Sequence, residues 1–326
     1  MGAFHGESLA RRIFGARLAA VADPAPGVAD RLAASLDCPF ATTDPSQVLA
    51  DPEIDAVVIA APARAHAGLV EAAAHAGKAV FCEKPMAIAL ADADRAIAAA
   101  DAAGVPLQIG FQRRFDRGFR AARDQVLSGG VGEPQLLRSL TRDPDLEVEP
   151  AKIPAWTVFF ETLIHDFDAL RWLNPWAEAV EVYAVADALV RPDWKERGLL
   201  DTAVVLVRFD NGAIATAEAS FRAVYGYDVR AEVFGSAGMA TVGDIRESSM
   251  TYSGAEGVVS RGSQSNLDLF HDAYVAEIAD FVACVRTGAT PRSTGEDARA
   301  ALAIALAAIR SVETGGPVRL AAVEDV

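Results

Sequence analysis

Between residues 17 and 109 the chain alternates short apolar runs with longer, alanine-rich stretches. Four runs read as strands, at 17–22, 55–61, 79–83 and 105–109. Helices are expected at 4–14, 28–36, 65–76 and 86–103, the last two stopped by Gly77 and Gly104. Strands separated by helices of this length make βαβ units and a parallel sheet. The run Ala79-Val80-Phe81-Cys82 has no polar position, so both its faces should be covered.

The pattern changes after about residue 110. Strands now come in runs, at 135–141, 179–186, 202–209, 213–221, 228–234 and 239–242, with Asp210-Asn211-Gly212 as a hairpin turn. One long helix is expected over 157–173, two more over 267–287 and 294–314, and a last strand over 317–320. This half reads as an α+β domain with a large open, mainly antiparallel sheet and helices on one face. The two patterns divide the chain into domains 1–112 and 113–326.

Charge narrows the partners. Acids outnumber bases 45 to 30, giving a net charge of -15, which argues against nucleic acid and against an anionic membrane surface. No apolar run approaches the ~18 residues of a membrane span. Cys38, Cys82 and Cys284 are far apart with no C-x-x-C spacing, and the first residues show no basic region followed by an apolar run. A cytoplasmic protein without disulfides or structural zinc is expected.

Several residues could carry chemistry. Glu83-Lys84-Pro85 follows the most apolar strand, at the carboxyl end where open α/β sheets bind ligands. Pro85 keeps Lys84 out of the helical region and should set a helix start just after it. A lysine there can bond a substrate hydroxyl; the plainer reading is a solvated Glu-Lys pair. Asp23 ends the first strand, where an acid accepts from ribose hydroxyls and repels a 2'-phosphate; alone it is equally an Asp-Pro turn. Ala61-Pro62 and His66 close the next strand and open a helix, a plausible cofactor-lining turn or simply a helix start.

Glu161, His165 and Asp168 are spaced i, i+4, i+7, which on an α-helix places them near one face. An acid one turn before a histidine orients it as a proton acceptor for an alcohol. The alternative is a structural ion pair within a core helix. A metal set of one histidine and two acids is disfavoured because no second histidine has matching spacing. Arg113-Arg114 reads as a structural pair bridging to acids such as Asp116.

With these residues assembled, the chain resembles the Gfo/Idh/MocA family of NAD(P)-dependent oxidoreductases over nearly its whole length. The resemblance rests on Glu83-Lys84-Pro85 after a strand, on the segment from Gln108 to Asp116, on Gly132-Glu133-Pro134 followed by Arg142-Asp143-Pro144, and on Ile164-His165-Asp166-Phe167-Asp168. The second of these is similar to the inositol dehydrogenase branch. The resemblance implies a Rossmann-type dinucleotide domain at 1–112 and a substrate-binding, oligomerisation domain at 113–326. It implies Lys84 as the catalytic lysine, His165 as proton acceptor and Glu161 as its acid. Gly2, Asp23, Ala61, Pro62, His66 and Glu83 would lie along the cofactor, with Asp23 favouring NAD over NADP. The substrate would be a cyclic polyol or sugar, and the open sheet would form a homodimer or homotetramer. An NADP-dependent sugar reductase and a non-catalytic dinucleotide or sugar sensor are the alternatives. In two places the chain departs from the family. Glu161 stands where the family has aspartate, and Thr157-Val158-Phe159-Phe160 is bulkier than the usual Gly-Gly.

The fingerprint G-x-G-x-x-G is absent before Asp23, and so is a strand ahead of it. Met1-Gly2 would be the end of that turn. The expectation is a Rossmann-type domain truncated at its first strand, with a gap between strands 17–22 and 55–61, in a natural chain that begins upstream with Met1 internal.

Overall fold

The computed structural model describes residues 1–144, 153–197, 199–255 and 257–323. In chain order the first elements are α1 (Gly2–Arg11), β1 (Ala20–Ala22), α2 (Val28–Ser35), β2 (Phe40–Thr42), α3 (Pro45–Ala50), β3 (Ala56–Ile59), α4 (Ala63–His75), β4 (Ala79–Glu83), α5 (Leu90–Ala103) and β5 (Leu107–Gly110). Next come α6 (Arg117–Leu127), β6 (Pro134–Arg142), a π-helical segment Val158–Leu163, and α7 (Ile164–Trp172). Strands β7 (Ala179–Asp187), β8 (Thr202–Phe209), β9 (Ile214–Ser220), β10 (Asp228–Gly235) and β11 (Met239–Val242) follow. The chain continues through β12 (Tyr252–Gly254), β13 (Gly257–Val259), α8 (Asn266–Leu269), α9 (His271–Thr287), α10 (Gly295–Thr314) and β14 (Val318–Arg319). Among the described residues, no helix is long and apolar enough to cross a membrane.

Two compact units result. The first holds Met1–Gln112 and Asp272–Arg299, the second Arg113–His271 and Ala300–Val326. The division read from the sequence keeps residues 272–299 with the second half, but here they join the first. The reason is apolar burial. Ile278 and Phe281 of α9 close a core over Ile13, Ala79 and Phe81, leaving these five residues at most 8% exposed.

All the parallel strands of the first unit are short. They lie in two sheets, β1–β2 and β3–β4–β5, and among the described residues no strand joins β1 to β3. β4 is buried at every position, as its apolar run predicts. α4 and α5 pack against each other, and both carry buried alanines, Ala73 and Ala74 on one and Ala93 and Ala96 on the other. α5 begins at Leu90, not directly after Pro85, because residues 86–89 first run non-helically from the sheet.

The second unit is built on a seven-stranded mixed sheet in the order β11-β10-β6-β9-β8-β7-β14. Only β6 and β9 pair in parallel. Burial alternates with period two, so Ala203, Val205, Val207 and Phe209 of β8 face inward. The hairpin β8–β9 turns at Gly212, whose φ of 88° suits a residue without Cβ.

α7 packs on β6 and β9. Two buried ion pairs hold it. Asp166, 0% exposed, accepts from Arg113 Nη1 at 2.8 Å and from the hydroxyls of Ser139 and Thr141 at 2.5 and 2.7 Å. Asp168 accepts from Arg114 Nε at 2.9 Å and Nη2 at 2.6 Å. Asp116, expected as the arginine partner, instead caps α6 by accepting from the Gly118 and Phe119 amides. Breaking one partner of a buried pair costs far more than breaking a surface pair. Asp168→Ala removes both bonds to the buried guanidinium and should destabilise the second unit by about 3–5 kcal/mol, read as a fall in the urea midpoint.

Candidate functional site

In the first unit, candidate residues gather at the carboxyl ends of β1, β3 and β4. Gly2 opens α1, and a Cβ built on it would stand 3.6 Å from the Ala60 Cβ, so the helix start lies beside the end of β3. That end carries no side-chain cap. Free N–H groups at a helix start attract a phosphate. Asp23 follows β1 directly, and its Oδ1 accepts the Ala25 amide at 2.9 Å in a local turn.

Pro62 sits at the N-cap of α4, with Ala61 before it. His66 is 2% exposed, and its ring nitrogens bond the carbonyl oxygens of Ala61 at 2.7 Å and Pro85 at 2.8 Å. It therefore braces the β3–α4 turn against the Glu-Lys-Pro turn. The sequence suggests only that it lies near a helix start.

Lys84 is partly exposed, while residues 78–83 and 85–87 are buried. Lys84 is thus the one residue of this run that is not buried. Glu83 turns inward instead of lining the surface. It is 7% exposed, and its Oε1 lies 2.6 Å from His5 Nε2. Neither His5 nor Glu277, which completes this buried cluster, is singled out by the sequence. Their spacing of 78 and 194 residues from Glu83 leaves no local signal.

In the second unit, His165 heads α7 and is 8% exposed. Its neighbours Asp166 and Asp168 are committed to Arg113 and Arg114. Glu161 lies in the π-helical segment and is exposed. The π segment has a wider turn than the 3.6 residues assumed in reading the i, i+4, i+7 spacing. Asp168 is paired with Arg114 and is a structural ion-pair partner. A further group, the Tyr227 phenol, is 5% exposed. Burial first, and then the Asp143 charge, holds its pKa far above the ordinary phenol value, so it stays neutral.

The first unit fits a dinucleotide on its own geometry. An uncapped helix start stands beside one strand end, an acid follows another, and a braced turn links β3 to Lys84.

Comparison with known proteins agrees. Residues 1–111 match the oxidoreductase family with an NAD-binding Rossmann fold, and residues 119–241 match the GFO/IDH/MocA C-terminal domain. The chain is 37% identical over 323 residues to the myo-inositol 2-dehydrogenase of Thermotoga maritima, covering 98% of this chain and 96% of that one. It is 35% identical to the scyllo-inositol 2-dehydrogenase (NAD(+)) of Bacillus subtilis, over 98% of this chain and 93% of that one. A scyllo-inositol dehydrogenase from Lactobacillus casei, solved with NAD(H) and scyllo-inositol, superposes with a TM-score of 0.94 at 28% identity, covering 98% of this chain and 96% of that one. With both halves of the fold and nearly the full length matched, this chain belongs to the Gfo/Idh/MocA family of oxidoreductases, with an NAD-binding Rossmann domain and a mixed-sheet second domain.

Proposed function

We propose that this protein oxidises a secondary alcohol of a cyclic polyol of the inositol class, with NAD as hydride acceptor. The observation that carries the reading is Lys84, the partly exposed residue at the carboxyl end of a wholly buried strand. Inositol dehydrogenases among the relatives support the substrate class. In this reading residues 1–112, completed by 272–299, form the dinucleotide-binding domain, and the second unit is the substrate-binding and oligomerisation domain.

The bound nicotinamide supplies the hydride chemistry. The chain supplies the rest. The α1 start with Gly2 holds the pyrophosphate. Asp23 accepts from the adenosine ribose hydroxyls. Ala61, Pro62 and His66 shape the wall, and Glu83 fixes the strand end from within. Lys84 bonds the reacting hydroxyl and orients it. His165 would take its proton, while a bound nicotinamide would accept the hydride from the carbon bearing that hydroxyl. Glu161 contributes as the acid of the substrate region. Its extra methylene, with bulky Val158, Phe159 and Phe160 before it, favours a ring set differently from that of an enzyme with aspartate and Gly-Gly.

The outward face of the large sheet carries exposed Leu136, Val185, Val204, Leu206, Ile214 and Phe234. An apolar sheet face of this kind suits association of two or four copies of the chain. The three free cysteines fit a reducing cytoplasm.

Two measurements test this reading. Lys84→Ala should lower kcat about 10²-fold or more in polyol oxidation at high NAD, while NAD affinity changes little; normal turnover would return Lys84 to a solvated helix-entry residue. NAD should be preferred over NADP, and Asp23→Ser should narrow that preference by removing repulsion of the 2'-phosphate. An unmodified protein preferring NADP sinks this assignment.

A further inference from the structure

Three buried groups of the first unit meet at the residue before Lys84. His5 comes from α1, Glu83 from β4 and Glu277 from α9, with exposures of 1%, 7% and 0%. One potential ligand atom from each lies within 4.8 Å of the others. Glu83 is boxed in. Its Oε1 is bonded by His5 Nε2, and a Cβ on Gly110 would stand 2.9 Å from its Oε2. The Phe81 ring packs edge-on against His5, with centroids 5.4 Å apart.

Glu277 differs. Neither of its carboxyl oxygens has a hydrogen-bond partner. Gln108 of β5 approaches, but its amide donates to the Glu277 backbone carbonyl at 2.8 Å. An ionised carboxylate removed from water without a donor is among the costliest groups a fold can hold. Two carboxyl groups this close in a dry site do not both ionise. Glu83 has the imidazole, so the proton belongs on Glu277. Among the described residues, His5 from α1 and Glu83 from β4 bring titratable atoms within 4.8 Å of Glu277, Tyr274 on α9 packs its ring against His5, and Gln108 does not titrate. Burial, and then the Glu83 charge, push the Glu277 carboxyl well above the usual range.

A divalent ion does not suit this spacing. His5 Nε2 and Glu83 Oε1 are 2.6 Å apart, a hydrogen bond, whereas two ligands of one tetrahedral ion stand roughly 3.4 Å apart.

We infer that Glu277 is a neutral buried acid and a positioning residue for Lys84, acting through Glu83. By keeping its proton it spares Glu83 a second negative charge in the same box. The His5–Glu83 bond then holds the end of β4, and Lys84 is the next residue along. The inference rests on Lys84 being the group that meets the substrate.

The sign of the pH dependence follows from where the proton sits. The folded chain keeps a proton on Glu277 that the unfolded chain releases above the ordinary carboxyl range. This contribution to stability is full at acid pH and is lost as pH rises toward the raised folded value. Glu277→Gln keeps the shape without a titrating proton. Between about pH 5 and pH 8 the Tm of the cofactor-free Gln variant should fall less than that of the unmodified chain, by ~3 °C or more. Parallel curves overturn the neutral acid.

Kinetics at saturating NAD test the positioning. Glu277→Leu should lower kcat per folded enzyme about 10-fold or more with the KM for NAD within ~3-fold, and Glu277→Gln should recover most of the loss. Full kcat in the Leu variant overturns the role. If the Leu variant does not fold, the Gln variant's stability profile still decides the protonation state. One equivalent of divalent metal in the acid-digested protein would overturn the whole inference in favour of a metal centre. Lys84→Ala separates the failures. Normal turnover there sinks the proposed function, whereas loss there with an unaffected Glu277→Leu sinks only this inference.

Discussion

The complete burial of β4 is the constraint on which the first unit depends. A strand with no solvent face must be covered on both sides and finished with its polar groups satisfied. Phe81 meets Phe281 and Ile278 of α9 on one side. On either flank β3 and β5 supply parallel ladders, with Val58 opposite Phe81 and Gln108 beyond it. The end of the strand is harder to satisfy, because Glu83 brings a carboxylate into the same dry layer. His5 and Gly110 accommodate it, one by a bond and the other by having no side chain. The chain then emerges at Lys84, whose position is therefore inherited from the core.

The second unit solves a similar problem with ion pairs. α7 brings two acids into the interior within three residues. Arg113 and Arg114, adjacent in sequence, each take one of them. An arginine fork suits a buried carboxylate because two parallel bonds offset much of the desolvation. Pairs of this kind are weak arguments for net stability, but they are specific about geometry. They fix the rotation of α7 about its axis, and with it the direction in which His165 leaves the helix.

Much of this was legible in the sequence, for identifiable reasons. The strand at 79–83 carries an unbroken apolar run, and the hairpin at Asn211-Gly212 carries its turn chemistry. Period-two alternation marks β8 and β9. What was not legible depended on distant partners or on helix type. A buried helix such as α9 looks the same whichever domain covers it, so its membership of the first unit had to come from Phe81. The arginines could be read as a structural pair, but not matched to Asp166 and Asp168 instead of the nearer Asp116. The π segment has no distinct composition, so a helix type other than α could not be read at 158–163.

The ion pairs also bear on which group on α7 can do proton chemistry. A helix carrying histidine between and beside acids offers several candidate bases. Asp166 receives three donors, one from the Arg113 guanidinium and one each from the hydroxyls of Ser139 and Thr141. Asp168 receives a bidentate fork. A carboxylate so occupied has its charge balanced and its lone pairs engaged, which makes it a poor acceptor for a substrate proton. His165 is the remaining titratable group of the segment, at the edge of burial. The arginines thus do more than hold a helix in place. By occupying two competing bases, they leave the imidazole as the group of α7 for the proton transfer proposed above.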